Sequence, residues 1–296
     1  MAAASGAIGV DALPAGGPWC TLSAIPPQAR SRRMSAAAAH SSAPDREADP
    51  DAIQAMRVDL AAAYRLIHRL GLDDSIYTHI SARLPGEGHR FLINPYGMRF
   101  EEVTPQNLVT VDIDGRVLED PMGLGINPAG FTIHSAIHAA RHDAICVLHT
   151  HTVAGVAVSC QEEGLLALNQ WSMQFAGRLA YHAYEGIALD LDERARLVAD
   201  LGDKPVMVLR NHGLLTCGRS VGEAFKLMHN LERSCRAQLA IQAAGAPITR
   251  PSAAIATKTA GQYAAGYDRI AIQGAPDNEW AAFKRMLART NPDFAQ

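Results

Sequence analysis

The chain has 296 residues, 48% of them hydrophobic, which is enough for one substantial core or at most two small ones. Lys plus Arg number 27 and Asp plus Glu 30, a net charge of −3, so no basic excess exists to neutralise a phosphate backbone, and nucleic acid is excluded as the main partner. No apolar run approaches the roughly 20 residues that span a bilayer, and five cysteines, odd in number and without a C-x-x-C pair, point away from a disulfide framework and toward a reducing, cytoplasmic setting.

Residues 1–44 are rich in Ala, Ser, Pro and Gly and hold no helical or strand period, so they read as a disordered N-terminal extension. Arg30, Arg32 and Arg33 in an acid-poor stretch also fit an organelle transit peptide, and a start codon placed too early is a further option. Residues 45–296 are expected to form one domain. It opens at Asp49-Pro50, a helix-start pair, followed at helical spacing by Ile53, Met56, Leu60, Tyr64 and Ile67 until Gly71. Tyr77 to Leu84 and Phe91 to Asn94 read as strands joined by Pro85-Gly86-Glu87-Gly88. Leu108 to Ile113 and Arg116 to Leu118 read as a second hairpin turning at Asp114-Gly115. A helix is expected over Phe131 to Ala140, then a strand over Ala144 to Leu148. A strand over Val206 to Leu209 continues into Leu214 to Cys217, and a long helix over Val221 to Ala244 ends at Gly245 and Pro247. A Pro/Ser/Ala-rich connector then leads to a last helix over Glu279 to Ala288. This order suggests a mixed sheet covered by helices.

The strongest chemical signal is His149-Thr150-His151 at the end of a strand. Side chains two apart on a strand share a face, so two imidazoles can share one metal. Alone, an H-x-H pair is weak. His212, in Arg210-Asn211-His212-Gly213, also follows an apolar strand, and Gly213 allows close backbone approach. Three histidines at the ends of two buried strands form the ligand set of a metal site with an open position. His134 and His138, four apart on a helix, form a second possible pair, or pack against the sheet.

CVLHTHTVAGVAVS and VMVLRNHGLLTCGRSVGEAF resemble the two histidine segments of the class II aldolase and adducin head family. FLINPYGMRFEEVTPQNLVTVDIDGRVLED and NEWAAFKRMLARTNPDF are similar to further segments of that family in the expected order, and the resemblance spans Ala52 to Phe294. It implies an α/β fold, a three-layer α/β/α sandwich around a mixed, largely antiparallel sheet. It also implies a divalent metal, zinc first with manganese or iron as options, held by His149, His151 and His212. Family enzymes act on sugar phosphates through an enediolate stabilised by that metal. They assemble as homotetramers with a C-terminal tyrosine reaching a neighbouring subunit, for which Tyr263 and Tyr267 are the candidates.

The sequence departs from the aldolase pattern in three segments. Where the family carries Ser-Ser-Glu before a helical histidine, this chain has Pro128-Ala129-Gly130, so the acid/base Glu is replaced by a residue that moves no proton. Thr78-His79 and Tyr96-Gly97 stand where phosphate contacts are expected, which makes His79, Tyr96 and Gly97 candidate substrate contacts. His79 alternatively belongs to a buried hydrogen-bond network. Glu185 and Tyr184 are the candidates to replace the missing base, while Glu101 and Glu102 read as solvated loop carboxylates or as further candidates. The expected function is a metal-dependent lyase of aldolase, decarboxylase or dehydratase type, acting on a small hydroxy-carbonyl or sugar-derived substrate. A non-catalytic adducin-like scaffold and a three-histidine Fe(II) oxygenase are the alternatives.

Overall fold

The computed structural model describes residues 49–86, 89–187 and 192–296, and the expectation for residues 1–44 lies outside them. Helix α1 (Pro50–Arg69) starts as its sequence indicates: the Asp49 carboxylate accepts from the Asp51 N–H, and Pro50 fills the first helical position. Strands β1 (His79–Arg83), β2 (Arg90–Ile93), β3 (Val109–Asp112) and β4 (Val117–Glu119) follow as an antiparallel meander. After α2 (Pro128–Ala140) and β5 (Cys146–Thr150) come α3 (Val153–Ser159), α4 (Gln170–Met173), β6 (Leu179–His182) and α5 (Glu193–Leu201). The hairpin of β7 (Val206–Leu209) and β8 (Gly213–Gly218) leads into the long α6 (Val221–Ala243), then α7 (Ala253–Ala271) and α8 (Asn278–Thr290).

All eight of these strands join one sheet in the order β4-β3-β2-β1-β5-β8-β7-β6, and only β6 and β7 pair in parallel. Helices cover both faces, as expected for an α/β sandwich. Period-two alternation divides the strand residues between the faces. Ile80, Leu92, Leu148, Val208 and Leu214 pack with Leu60 and Tyr64 of α1 and Phe225 and Leu231 of α6. On the other face Val147, Met207 and Leu215 pack with Ile133 and Ile137 of α2 and Leu197 and Leu201 of α5.

Two expectations need correction. The segment read as a connector before the last helix contains the whole of α7. Ser252 caps it through the Ile255 N–H, and its run of alanines is strongly helix-forming, but only Ala256, Ala260 and Tyr267 are buried, so it carries almost no hydrophobic stripe. Helix α2 begins at Pro128 rather than near Phe131, because Asn127 accepts from the Ala129 N–H and Pro128 takes the first turn. Strand β6 and helix α3 were not foreseen at all.

Tyr64 ties α1 to the sheet beneath the functional face. Its buried hydroxyl accepts from the Ile80 N–H at 2.9 Å and the Asn94 N–H at 3.0 Å, and also lies against the Ile80 carbonyl and the Asn94 side chain. Tyr64→Phe removes the acceptor from both amides. Urea denaturation is expected to show a loss of about 1–3 kcal/mol.

Candidate metal centre

Strands β1 and β5 pair so that His79 lies opposite His149 and Ser81 opposite Val147, all on the face covered by α2. His151 follows one residue past the end of β5, and His212 sits in the tight turn between β7 and β8. Asn211 adopts φ 56°, a left-handed conformation that asparagine tolerates, and so turns His212 toward β5. A Cβ at Gly213 would lie 2.4 Å from the Thr150 carbonyl oxygen and 3.2 Å from the His151 ring. The glycine is what lets this turn close onto the histidines.

His149 Nε2 lies 2.8 Å from His151 Nε2, which lies 2.9 Å from His212 Nε2. The protons of two of these rings are fixed by their other nitrogens. His149 Nδ1 is 2.9 Å from the Leu214 carbonyl, which can only accept, and His151 Nδ1 is 3.0 Å from an Asp74 carboxylate oxygen. Both Nδ1 atoms therefore donate, and His149, which burial keeps neutral, presents a bare Nε2 lone pair toward His151. Burial drives the proton affinity of His149 well below the ordinary imidazole value and that of His212 down to about 4, so these two rings are neutral near neutrality. Converging imidazoles, two of them oriented by a second hydrogen bond, fit a divalent cation of the zinc class.

The histidines form the floor of a cavity of about 480 Å³. Tyr77, Tyr96 and Tyr184 line it, with the Tyr184 ring 6.1 Å from that of His212, and His79 and Ile133 also face it. Among the described lining residues there is no Lys or Arg, and Asp74 is the one carboxylate. Gly97 has φ +95°, which turns the chain beside Tyr96, but it does not line the cavity.

Glu185 does not occupy the place expected for a base. It lines a small recess beside His212, is exposed, and is gripped by the Arg196 guanidinium at 2.8 and 2.5 Å, which lowers its proton affinity further. Both of its oxygens are engaged by that guanidinium. Glu101 is paired with His68 and Arg99, and Glu102 accepts from the Arg99 N–H, so both belong to a local loop structure. Tyr267 is buried beside Lys226, and with Tyr263 it lines a separate cavity of about 600 Å³.

His79 lies at one end of a buried chain of groups: His79 Nδ1 to His134 Nε2 at 2.8 Å, His134 Nδ1 to Ser81 Oγ at 2.5 Å, and Ser81 Oγ to His138 Nε2 at 2.7 Å. His138 Nδ1 closes it on the Ala144 carbonyl at 3.1 Å. The His134 and His138 pair is thus joined through a serine and does not converge on a common point. Burial holds His79 and His134 well below the ordinary imidazole range and His138 at about 3, so all three are neutral. Sequence reasoning missed Asp74 and Ser81. Neither sits in a recognisable pattern, although Ser81 lies two residues from His79 on the same strand face.

The family model described as Class II Aldolase and Adducin N-terminal domain matches residues 58–239. An aldolase II superfamily protein from Pseudomonas syringae has a structure 51% identical in sequence, with a TM-score of 0.77 over 84% of this chain and 97% of that one. An L-fuculose 1-phosphate aldolase from Glaciozyma antarctica is 27% identical, with a TM-score of 0.71 over 82% and 92%. Alpha-adducin from Rattus norvegicus is 45% identical over 195 residues, which cover 65% of this chain but only 26% of the adducin. The chain belongs to the class II aldolase and adducin family.

Loss of the carboxylate that orients His151 should weaken zinc binding without abolishing it. Asp74→Asn is expected to lower zinc affinity about 10–100-fold at unchanged stoichiometry in competition titrations with a chromophoric chelator, whereas His151→Ala should leave no site at all.

Proposed function

We propose that the protein is a metal-dependent lyase acting on a small hydroxy-carbonyl substrate that carries no phosphate. The observation that carries this reading is the convergence of three imidazole Nε2 atoms, with two of the rings oriented through their Nδ1 atoms, at an open cavity. A pure scaffold has no use for ligands oriented in this way. When bound, a divalent cation, zinc by preference, supplies Lewis-acid polarisation of a carbonyl and positive charge to hold an enediolate. The chain's own residues bind and orient around it. The Tyr96 and Tyr184 hydroxyls stand at the rim, where they can donate to substrate oxygens, and His79 contributes a nitrogen from the wall. The absence of Lys and Arg from the described lining, together with Pro128 and Ala129 in place of the family's serines, supports a substrate without phosphate.

A homotetramer fits this reading, since α7 exposes most of its surface, including Ile255. The similarity to alpha-adducin favours a second reading, a binding module without turnover, and so does Gly130 in place of the family base.

The test is a screen of the zinc-, manganese- and iron-loaded protein against hydroxy-aldehydes, hydroxy-ketones and hydroxy-acids, with and without phosphate. Cleavage, decarboxylation or dehydration of an unphosphorylated compound is expected, and it should fall at least 100-fold in His149→Ala. Full metal loading with no turnover of any compound would favour the module.

A further inference from the structure

If the family's carboxylate is missing, the cavity needs another proton acceptor. Asp74 is committed to His151, Glu185 to Arg196, and the three clustered imidazoles to one another. Of the imidazoles that line the cavity His79 alone stands outside that cluster, and its surroundings fix which of its nitrogens is free. The Ala144 carbonyl can only accept, so His138 Nδ1 donates to it and His138 Nε2 accepts. Ser81 must then donate to His138 and accept from His134 Nδ1, and His134 Nε2 must accept from His79 Nδ1. One carbonyl thus sets the tautomer of three neutral rings, and His79 Nε2 is left as a lone pair on a ring that lines the cavity.

The position of this ring explains Gly130. A Cβ built on Gly130 would lie 2.5 Å from His79 Cδ2 and 2.7 Å from His79 Nε2, closer than real atoms approach. The imidazole therefore occupies the volume that any side chain at position 130 would enter, including the carboxylate the family pattern places there. Its ring is also 5.2 Å from that of His149, next to the metal cluster.

We propose that His79 is the acid/base residue of this site, standing physically in place of the absent glutamate, with Ser81, His134 and His138 as positioning residues that hold its Nε2 unprotonated. The proposal rests on the lyase reading above. In the step it performs, the bond between hydrogen and the carbon next to the substrate carbonyl breaks. The electron pair stays on the substrate as an enediolate, the proton forms a bond to His79 Nε2, and the ring becomes an imidazolium. The same proton returns to carbon when the step reverses or when the next bond is made.

The test uses the zinc-loaded full chain with dihydroxyacetone as probe, following exchange of its carbon-bound hydrogens for deuterium by proton NMR. Wild type should exchange. His79→Asn should exchange about 10²–10⁴-fold more slowly with zinc stoichiometry unchanged, and the pair His79→Gly with Gly130→Glu should recover at least tenfold over His79→Gly alone. Wild-type exchange rates in fully loaded His79→Asn would overturn the base assignment and leave the lyase reading standing. No exchange by loaded wild type would overturn the lyase reading for hydroxy-ketones, and the base with it. Two readouts do not depend on turnover. Nitrogen-15 NMR of labelled histidine should show His79 protonated at Nδ1 in wild type and a mixture of tautomers in Ser81→Ala; an Nε2-protonated His79 in wild type would overturn the relay. Gly130→Ala should lower the melting temperature by about 5 °C in wild type and by much less in a His79→Gly background, whereas equal losses in both would overturn the steric exchange.

Discussion

His149 and His151 bring two imidazole nitrogens within 2.8 Å of each other, and a fold that builds so close an approach has to hold it in place. His149 and His151 are in this position because their Nδ1 atoms are already committed, one to the Leu214 carbonyl and the other to Asp74. The surrounding structure enforces the approach. The β5–β8 pairing brings Leu214 to His149, the left-handed Asn211 turns His212 inward, and Gly213 lets the turn close against Thr150. Positive charge placed at the centre would be drawn to the lone pair that His149 presents there, which is the basis of the proposed cation site.

The sheet separates this polar assembly from the main core by simple alternation. His79, Ser81, Val147 and His149 point to one face, while Ile80, Ala82, Leu148 and Cys146 point to the other and join the apolar cluster with α1 and α6. The face that carries the site is then covered by α2, whose His134 and His138 meet Ser81 and whose Gly130 meets His79. Ser81, His134 and His138 on this face are buried yet paired with one another. The described walls of the cavity carry tyrosines and no cationic side chain.

Much of this was legible in the sequence. The three histidines stand beside strand ends and a glycine, and each of these is a local pattern. The loss of the family carboxylate at Gly130 was equally plain. Its physical compensation was not, because His79, Ser81 and His134 are brought together only by strand pairing and helix packing, across separations of more than 50 residues. Asp74 was missed because an acid in a polar loop carries no period. Glu185 looked suitable by its place in the chain, but its partner Arg196 lies on the next helix and takes both its oxygens. Helix α7 was read as a connector because a helix with three buried residues leaves little hydrophobic pattern to read.

The claim on which the account depends is that these three imidazoles, and not a thiol or a carboxylate cluster elsewhere, hold the metal. X-ray absorption at the zinc edge of the loaded protein addresses it directly. The account predicts a first shell of nitrogen or oxygen at about 2.0–2.1 Å with the outer-shell scattering of three imidazoles. Sulfur at about 2.3 Å, or a shell of oxygens without imidazole scattering, would contradict it.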